Sequence, residues 1–342
     1  MQSHVSIGLR RPAPAGVAAG APRTRVLPPL HAWELVAADM ALAEQNLHAL
    51  LGSNAHEITG AGGYLASAGG KRIRPLLTAL GARAVGVEGD MSRLMCVGEL
   101  IHLGSLLHDD VVDDAEARRG KRAAQHVHGN ALVILTGDFC LARGVLLASE
   151  EGGHACVSGL AEAVLAMSEG EVLQLRRAGS LDTTREEYLD IIDRKSAALI
   201  AWCSAVGAHV LDDADRARAM EAFGRAVGVA FQITDDVLDY GGLVGETGKG
   251  VGKDLRDRKL TLPLLIALER DPGLREALAE APSEAELPGL VQRVRATGAL
   301  EAALVEARQW VDRSLTHLNV LPPSPHRSAL EDLARYLADR VS

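Results

Sequence analysis

From Ala32 onward, apolar residues recur at intervals of three and four rather than alternating, Ala and Leu dominate, and β-branched runs are short. This period predicts an all-α protein. Helices are expected over 31–51, 54–67, 74–85, 92–113, 130–149, 156–177, 184–210, 213–240, 261–269, 285–297, 300–317 and 326–341. Thr184 and Glu187 have the spacing of a capping box and mark the start of the 184–210 helix. Pro272, Pro282 and the run Leu321-Pro322-Pro323-Ser324-Pro325 separate the C-terminal helices. Gly224 and Gly228 lie one turn apart inside the 213–240 helix. A glycine there costs about 1 kcal/mol relative to alanine, so a close approach of a neighbouring helix is expected at both.

Two of these helices end in the same way. The runs Leu106-Leu107-His108-Asp109-Asp110-Val111-Val112-Asp113-Asp114 and Phe231-Gln232-Ile233-Thr234-Asp235-Asp236-Val237-Leu238-Asp239 each close an apolar stretch with aspartates. Positions i and i+4 fall about 40° apart around a helix, so Asp109 and Asp113 point one way, as do Asp235 and Asp239. Like charges at that spacing weaken a helix by roughly 0.2–0.5 kcal/mol, and apolar surroundings add to the cost unless a cation offsets it. Hard oxygen ligands on a rigid helix suit Mg²⁺, which keeps its waters and is shared with a substrate phosphate. Because both claws are needed in one cavity, residues 31–342 are expected to form a single bundle rather than two domains.

With 342 residues, 47% of them hydrophobic, the chain can build a sizeable core. A net charge of −9 argues against a nucleic-acid partner. Cys96, Cys140, Cys156 and Cys203 lack metal-ligand spacing and read as buried free thiols, which implies a reducing, cytoplasmic setting. No run approaches the ~18–20 uninterrupted apolar residues of a membrane span, so no transmembrane segment is expected and any membrane contact is peripheral. Residues 1–30, rich in Pro, Gly, Ala and Arg, read as a flexible tail. A transit peptide would share the arginines, but Ser is scarce and Pro12, Pro14, Pro22, Pro28 and Pro29 break any amphipathic helix.

The positive charge is clustered. Gly69-Gly70-Lys71-Arg72-Ile73-Arg74-Pro75 sets Lys71 and Arg74 about one turn apart where a helix begins, a place that favours anions. Arg118-Arg119-Gly120-Lys121-Arg122 follows the first claw, and Gly248-Lys249-Gly250-Val251-Gly252-Lys253-Asp254, with Lys259 beyond, follows the second. Two acidic claws with several cations between them make sense around a strongly anionic ligand, and a diphosphate fits.

In this combination the chain resembles the trans-type polyprenyl diphosphate synthases over about residues 66–265, through GGKRIRP, IHLGSLLHDDVVDDAEARRG, the Gly129-Asn130 and Gly137-Asp138 pairs, Lys195-Ser196, and FQITDDVLD with GKGVGKD following. The resemblance implies the isoprenoid synthase bundle around a central substrate cavity, and head-to-tail condensation of isopentenyl diphosphate with an allylic prenyl diphosphate. It implies two or three Mg²⁺ ions held by Asp109, Asp113, Asp235 and Asp239, with Asp110 and Asp236 as supporting carboxylates. Lys71, Arg74, His102 and Arg119 correspond to the isopentenyl diphosphate site, and Arg118, Lys195 and Lys249 to contacts with the allylic diphosphate. Ser196, where the family usually has threonine, Gln232 and the Lys195 carbonyl correspond to the groups that face the allylic cation. A homodimer is also implied. Gly104 and Ser105, one turn before Asp109, stand where short-chain members commonly carry Tyr or Phe; an open floor there and an aromatic content of 3% point to a long product. Leu141, Val145 or Met167 could form a lower stop. The rival readings are a short-chain farnesyl or geranylgeranyl synthase, a class I terpene cyclase, and a non-catalytic subunit of a heteromeric synthase; the two intact claws and the Lys71/Arg74 block speak against the last two.

Other residues have plainer readings. His108 is expected to hydrogen-bond within the bundle, and His126 and His128, at i and i+2, share no helical face for zinc. Glu169 and Glu171 suit a metal-supporting role and a solvated or packing role about equally. Lys253 replaces the acidic residue expected after Gly252, with Asp254 as its substitute.

Overall fold

The computed structural model describes residues 28–118, 120–241 and 252–340. The chain runs through α1 (Leu30–Leu35), α2 (Ala37–Leu50), α3 (His56–Ala66), α4 (Ile73–Val85) and α5 (Ser92–Val112). A two-stranded antiparallel ribbon, β1 (Ala117–Arg118) and β2 (Lys121–Arg122), leads through α6 (Ala124–His128) into α7 (Asn130–Arg177). Then come α8 (Arg185–Ile192), a π-helical turn (Asp193–Ala197), α9 (Ala198–Val210) and α10 (Ala214–Gly241). The rest comprises α11 (Lys253–Arg256), α12 (Leu262–Arg270), α13 (Gly273–Ala277), α14 (Leu287–Ala296), α15 (Ala299–His317) and α16 (Pro325–Asp339). The all-α class predicted from the period is the class observed.

The bundle is organised around α9. Every residue from Ala198 to Ala208 is buried, so this helix is apolar on all sides and is walled by α4, α5, α7 and α10. The capping box at α8 forms as expected: the Thr184 hydroxyl accepts from the Glu187 amide, and the Glu187 carboxylate accepts from the Thr184 amide at 2.9 Å. The close approach expected at Gly224 and Gly228 is also present. A Cβ on Gly224 would lie 2.8 Å from Ala201 Cα, and one on Gly228 would lie 2.6 Å from Ala197 Cα. These two glycines let α10, which carries the second claw, settle against α9 and the π turn.

Two expectations about helix limits are corrected. Helices 130–149 and 156–177 are one element, bent at Gly153, whose φ of 71° and ψ of −167° replace the anticipated loop. Helix 184–210 is interrupted by the π turn. Helix α7 also contains an 18-residue window of mean hydropathy 1.8, long and apolar enough to cross a membrane by length and composition. Within the fold its Val133, Gly137, Cys140, Gly144 and Leu147 are buried, and the helix packs on α5 and α9. Its Ile134, Leu135, Val145 and Leu146 remain exposed. The four cysteines are buried and free, and burial pushes the Cys96, Cys140 and Cys203 thiols up to about 12.

Candidate active site

A cavity of about 1080 Å³ opens where the C-terminal ends of α5 and α10 meet the N-terminal end of α4. Its wall includes Asp109 and Asp113 from one side and Asp235, Asp236 and Asp239 from the other, together with Lys71, Arg74, His102, Arg118, Lys195, Gln232 and Lys259. The two claws therefore meet in one space. Ser196, Gly104, Ser105 and Asp110 are not among the lining residues, and the expected sites Arg119 and Lys249 lie outside the described residues.

The first claw carries uncompensated charge. Burial pushes the Asp109 carboxyl up to about 6; nearby Glu171 and Asp113 add to the shift, while Lys195 and Arg118 oppose it. Asp110 does something else. Consecutive helix residues point about 100° apart, so Asp110 faces away from Asp109, is fully buried, and accepts from Arg118 Nε at 2.7 Å. It does not share the face of Asp109 and Asp113, and it anchors the β1 arginine. Gln125 Nε2 donates to the Asp110 and Ala115 carbonyls at 2.7 Å each, which ties the ribbon to the end of α5.

The second claw is better compensated. Asp235 accepts from Arg340 Nη2 at 2.5 Å, and that guanidinium also lies over the Phe231 ring. Asp239 accepts backbone amides of Lys253 at 3.2 Å and Asp254 at 2.9 Å, where the chain re-enters at α11. Asp236, nearly fully buried, has both oxygens engaged: Tyr188 Oη donates to Oδ2 at 2.7 Å and Gln232 Nε2 to Oδ1 at 2.9 Å. These bonds suit the supporting role expected of Asp236. Lys259 is half-buried here. Burial works against its charge, but Asp254 and Asp236 outweigh that and raise its pKa, while burial pushes Asp254 up to about 8 against the pull of Lys259.

The basic side is sorted by its partners. Arg72 is held by Glu44 at 2.9 Å through two nitrogens and by Glu99 at 2.7 Å, so it braces the loop rather than serving a ligand. Lys71 and Arg74, on either side, face the cavity. Burial lowers the pKa of both, and in Lys71 the nearby Arg340 adds to the effect, as fits cations grouped to receive an anion. Lys195 pairs with Glu171, and His108 lies 3.0 Å from the Ile134 carbonyl, within the bundle as expected.

The π turn shapes the centre. It carries Lys195 and Ser196, and one extra residue per turn widens the helix at this point, a feature frequent at functional sites. Gly170 of α7 lies against it so closely that a Cβ would fall 2.6 Å from the Lys195 amide nitrogen. Ser196 Oγ donates to Gln232 Oε1 at 2.7 Å, bringing together two residues predicted to act as a pair.

Among the described residues no three His, Cys, Asp or Glu side chains form a ready-made metal cage. Carboxylates arranged in facing pairs instead fit a divalent ion that completes its shell with water and diphosphate oxygens. Asp109, Asp113, Asp235 and Asp239 would hold such ions. Gly104 does not open onto the cavity. It packs on α7, where an added Cβ would meet the Gly137 carbonyl oxygen at 2.9 Å, so the expected open floor at this residue is corrected. Ser105 is half-buried and donates to the His102 carbonyl at 2.9 Å. Tyr188 and Arg340 were not legible as site residues; neither belongs to a motif, and Arg340 lies far along the chain from the aspartate it meets.

The polyprenyl synthetase family model matches residues 55–294. The chain is 38% identical over 316 residues to an octaprenyl diphosphate synthase of Escherichia coli, covering 90% of this chain and 97% of the relative. Among solved structures, it is similar to a polyprenyl synthase of Caulobacter crescentus complexed with calcium and isoprenyl diphosphate (TM-score 0.88, 36% identity, 94% of this chain and 100% of the other). It is also similar to a decaprenyl diphosphate synthase of Rhodobacter capsulatus (TM-score 0.83, 37% identity, 91% and 98%).

Proposed function

This chain belongs to the polyprenyl synthetase family, and from that membership we propose that it is a long-chain trans-prenyltransferase, extending an allylic prenyl diphosphate with isopentenyl diphosphate in a Mg²⁺-dependent reaction. The observation that carries the reading is the convergence of Asp109, Asp113, Asp235 and Asp239 with Lys71, Arg74 and His102 around one cavity. Two or three Mg²⁺ ions per site fit four carboxylates that each leave coordination positions for diphosphate oxygens.

The residues divide the work. Lys71, Arg74 and His102 bind isopentenyl diphosphate near the start of α4, and Arg118 and Lys195 hold the allylic diphosphate beside α5. Divalent ions, when bound, neutralise the charge that develops on the leaving diphosphate as the allylic C–O bond breaks. Gln232, on the cavity wall, presents an oxygen dipole to the resulting cation, and Ser196 behind it hydrogen-bonds that amide oxygen. The isopentenyl double bond attacks the allylic carbon, and loss of a proton to the departed diphosphate restores a neutral chain longer by one five-carbon unit. No side-chain nucleophile is required.

The names of the relatives, octaprenyl and decaprenyl synthases, and the low aromatic content support a long product over a farnesyl or geranylgeranyl one. The exposed stripe Ile134, Leu135, Val145 and Leu146 on α7 supports a homodimer, with the stripe as its seam. The enzyme is proposed to work in the cytoplasm, touching a membrane only peripherally to release product. Residues 1–27, most of the expected tail, lie outside the described residues, and Leu30 already belongs to α1.

The test is incubation of the purified chain with radiolabelled isopentenyl diphosphate and each allylic primer in turn, with Mg²⁺ or with a chelator. Long polyprenyl products that vanish with chelator are expected. Cyclic hydrocarbon made without isopentenyl diphosphate would turn the reading to a terpene cyclase, and activity only with an added partner would turn it to a subunit of a heteromer.

A further inference from the structure

Four side chains join α8, the π turn and α10 in a single hydrogen-bonded line. Tyr188 Oη donates to Asp236 Oδ2 at 2.7 Å, Gln232 Nε2 donates to Asp236 Oδ1 at 2.9 Å, and Ser196 Oγ donates to Gln232 Oε1 at 2.7 Å. We propose that Tyr188 is a positioning residue that holds Asp236 and, through it, the Gln232 amide, so that the amide nitrogen faces Asp236 and the amide oxygen is turned toward Ser196 and the allylic cation. The inference rests on the prenyltransferase reading.

The argument is one of donor and acceptor supply. Gln232 Nε2 donates to Asp236 Oδ1 and Gln232 Oε1 accepts from Ser196, so the NH₂ edge faces Asp236 and the amide oxygen faces the opposite way. A serine hydroxyl has one proton. Once that proton is committed to Gln232 Oε1, Ser196 has no O–H left to point at a cation, and the Gln232 oxygen keeps a second lone pair while its remaining N–H stays at the nitrogen end of the amide. An unrestrained glutamine could turn its amide over and place an N–H, the positive end of a dipole, where positive charge develops. Such a reversal would oppose the chemistry it now assists.

Tyr188 gives the line its fixed end. It is 3% exposed, and burial followed by the nearby Asp236 charge keeps its phenol protonated far above the ordinary range, so it remains a donor. By occupying Oδ2 it holds the carboxylate plane and leaves Oδ1 directed at Gln232. Tyr188 and Ser196 come from either side of one helix boundary while Gln232 and Asp236 come from α10, so the line also fastens the π turn to the second claw. The Gly228 contact with Ala197 brings those backbones close enough for side chains this short to meet.

Wild-type protein assayed with labelled isopentenyl diphosphate tests the prenyltransferase reading on its own; a double-mutant cycle on the same assay tests the line. Tyr188→Phe keeps the ring and removes the hydroxyl. It should lower kcat by roughly 10- to 100-fold, the range common for groups that orient a reacting side chain, with KM for both diphosphates changed by no more than about twofold. Ser196→Ala removes the far end. If Tyr188 acts through the line, the double variant is no slower than the slower single one; independent losses that multiply, or a changed KM with kcat preserved, overturn the proposal. Should Tyr188→Phe lose its far-ultraviolet helix signal, Asp236→Asn breaks the line at its centre, and the same cycle with Ser196→Ala decides by the same two outcomes.

Discussion

Replacing Asp109 by asparagine should make the metal-free protein more stable while removing its activity. The Asp109 carboxyl is pushed up to about 6 from an ordinary 3.8, first by burial and then by Glu171 and Asp113, with Lys195 only partly offsetting them. Between those two values the folded chain binds a proton that the unfolded chain does not. Stability contributed by that proton is present at low pH and is lost as pH rises from about 4 through 6. The full gap corresponds to about 3 kcal/mol, which for a chain of this length is roughly 4 °C in melting temperature. Asp109→Asn keeps the shape and abolishes the charge, so at pH 8 in chelator it should melt roughly 4 °C above wild type, with about half that advantage near pH 5 and little below pH 4. Added Mg²⁺ should raise the wild-type melting temperature more than that of the variant, because only the wild type keeps the full first claw. Scanning calorimetry across this pH range, with and without metal, is the measurement. A variant less stable than wild type at pH 8, or an advantage independent of pH, would refute the claim that the charge at Asp109 is held at a cost until a cation arrives.

Asp109→Ala and Asp235→Ala should each lower turnover by several orders of magnitude with the far-ultraviolet helix signal nearly unchanged; normal turnover from either removes the metal role. Lys71→Ala should raise the apparent KM for isopentenyl diphosphate, and an unaltered KM contradicts its placement at that site. Asp110→Ala leaves the part-exposed Arg118 guanidinium without its carboxylate and should cost about 1–3 kcal/mol of stability, read by urea titration; a shift below about 0.5 kcal/mol would show the pair to be dispensable. Gly104→Tyr, which must force α5 from α7, should lower the melting temperature whatever it does to product length, and a variant as stable as wild type with a shortened product ladder would restore the open-floor reading.

The helices and the pairing of the claws were legible because both rest on local periodicity: 3.6 residues per turn sets which faces are apolar and brings Asp109 beside Asp113. The same arithmetic, carried one residue further, separates Asp110 from its neighbours, yet the repeated motif drew it in with them. The π turn was not legible, since one residue in excess leaves the surrounding apolar pattern almost intact. Nor was the continuity of α7, because Gly152-Gly153 reads as a stop although the chain bends there and goes on. Arg340 and Tyr188 show a further limit. Their partners Asp235 and Asp236 are distant in sequence, and only the packing of α16 and α8 against α10 brings them into range.

The π turn is gripped from both flanks, by Gly170 on α7 and Gly228 on α10, with no space at either for even a methyl group. The backbone that carries Lys195 and Ser196 is consequently fixed in place between two helices. A bulkier residue at either contact would dislodge Lys195 and Ser196 before it altered the length of anything made.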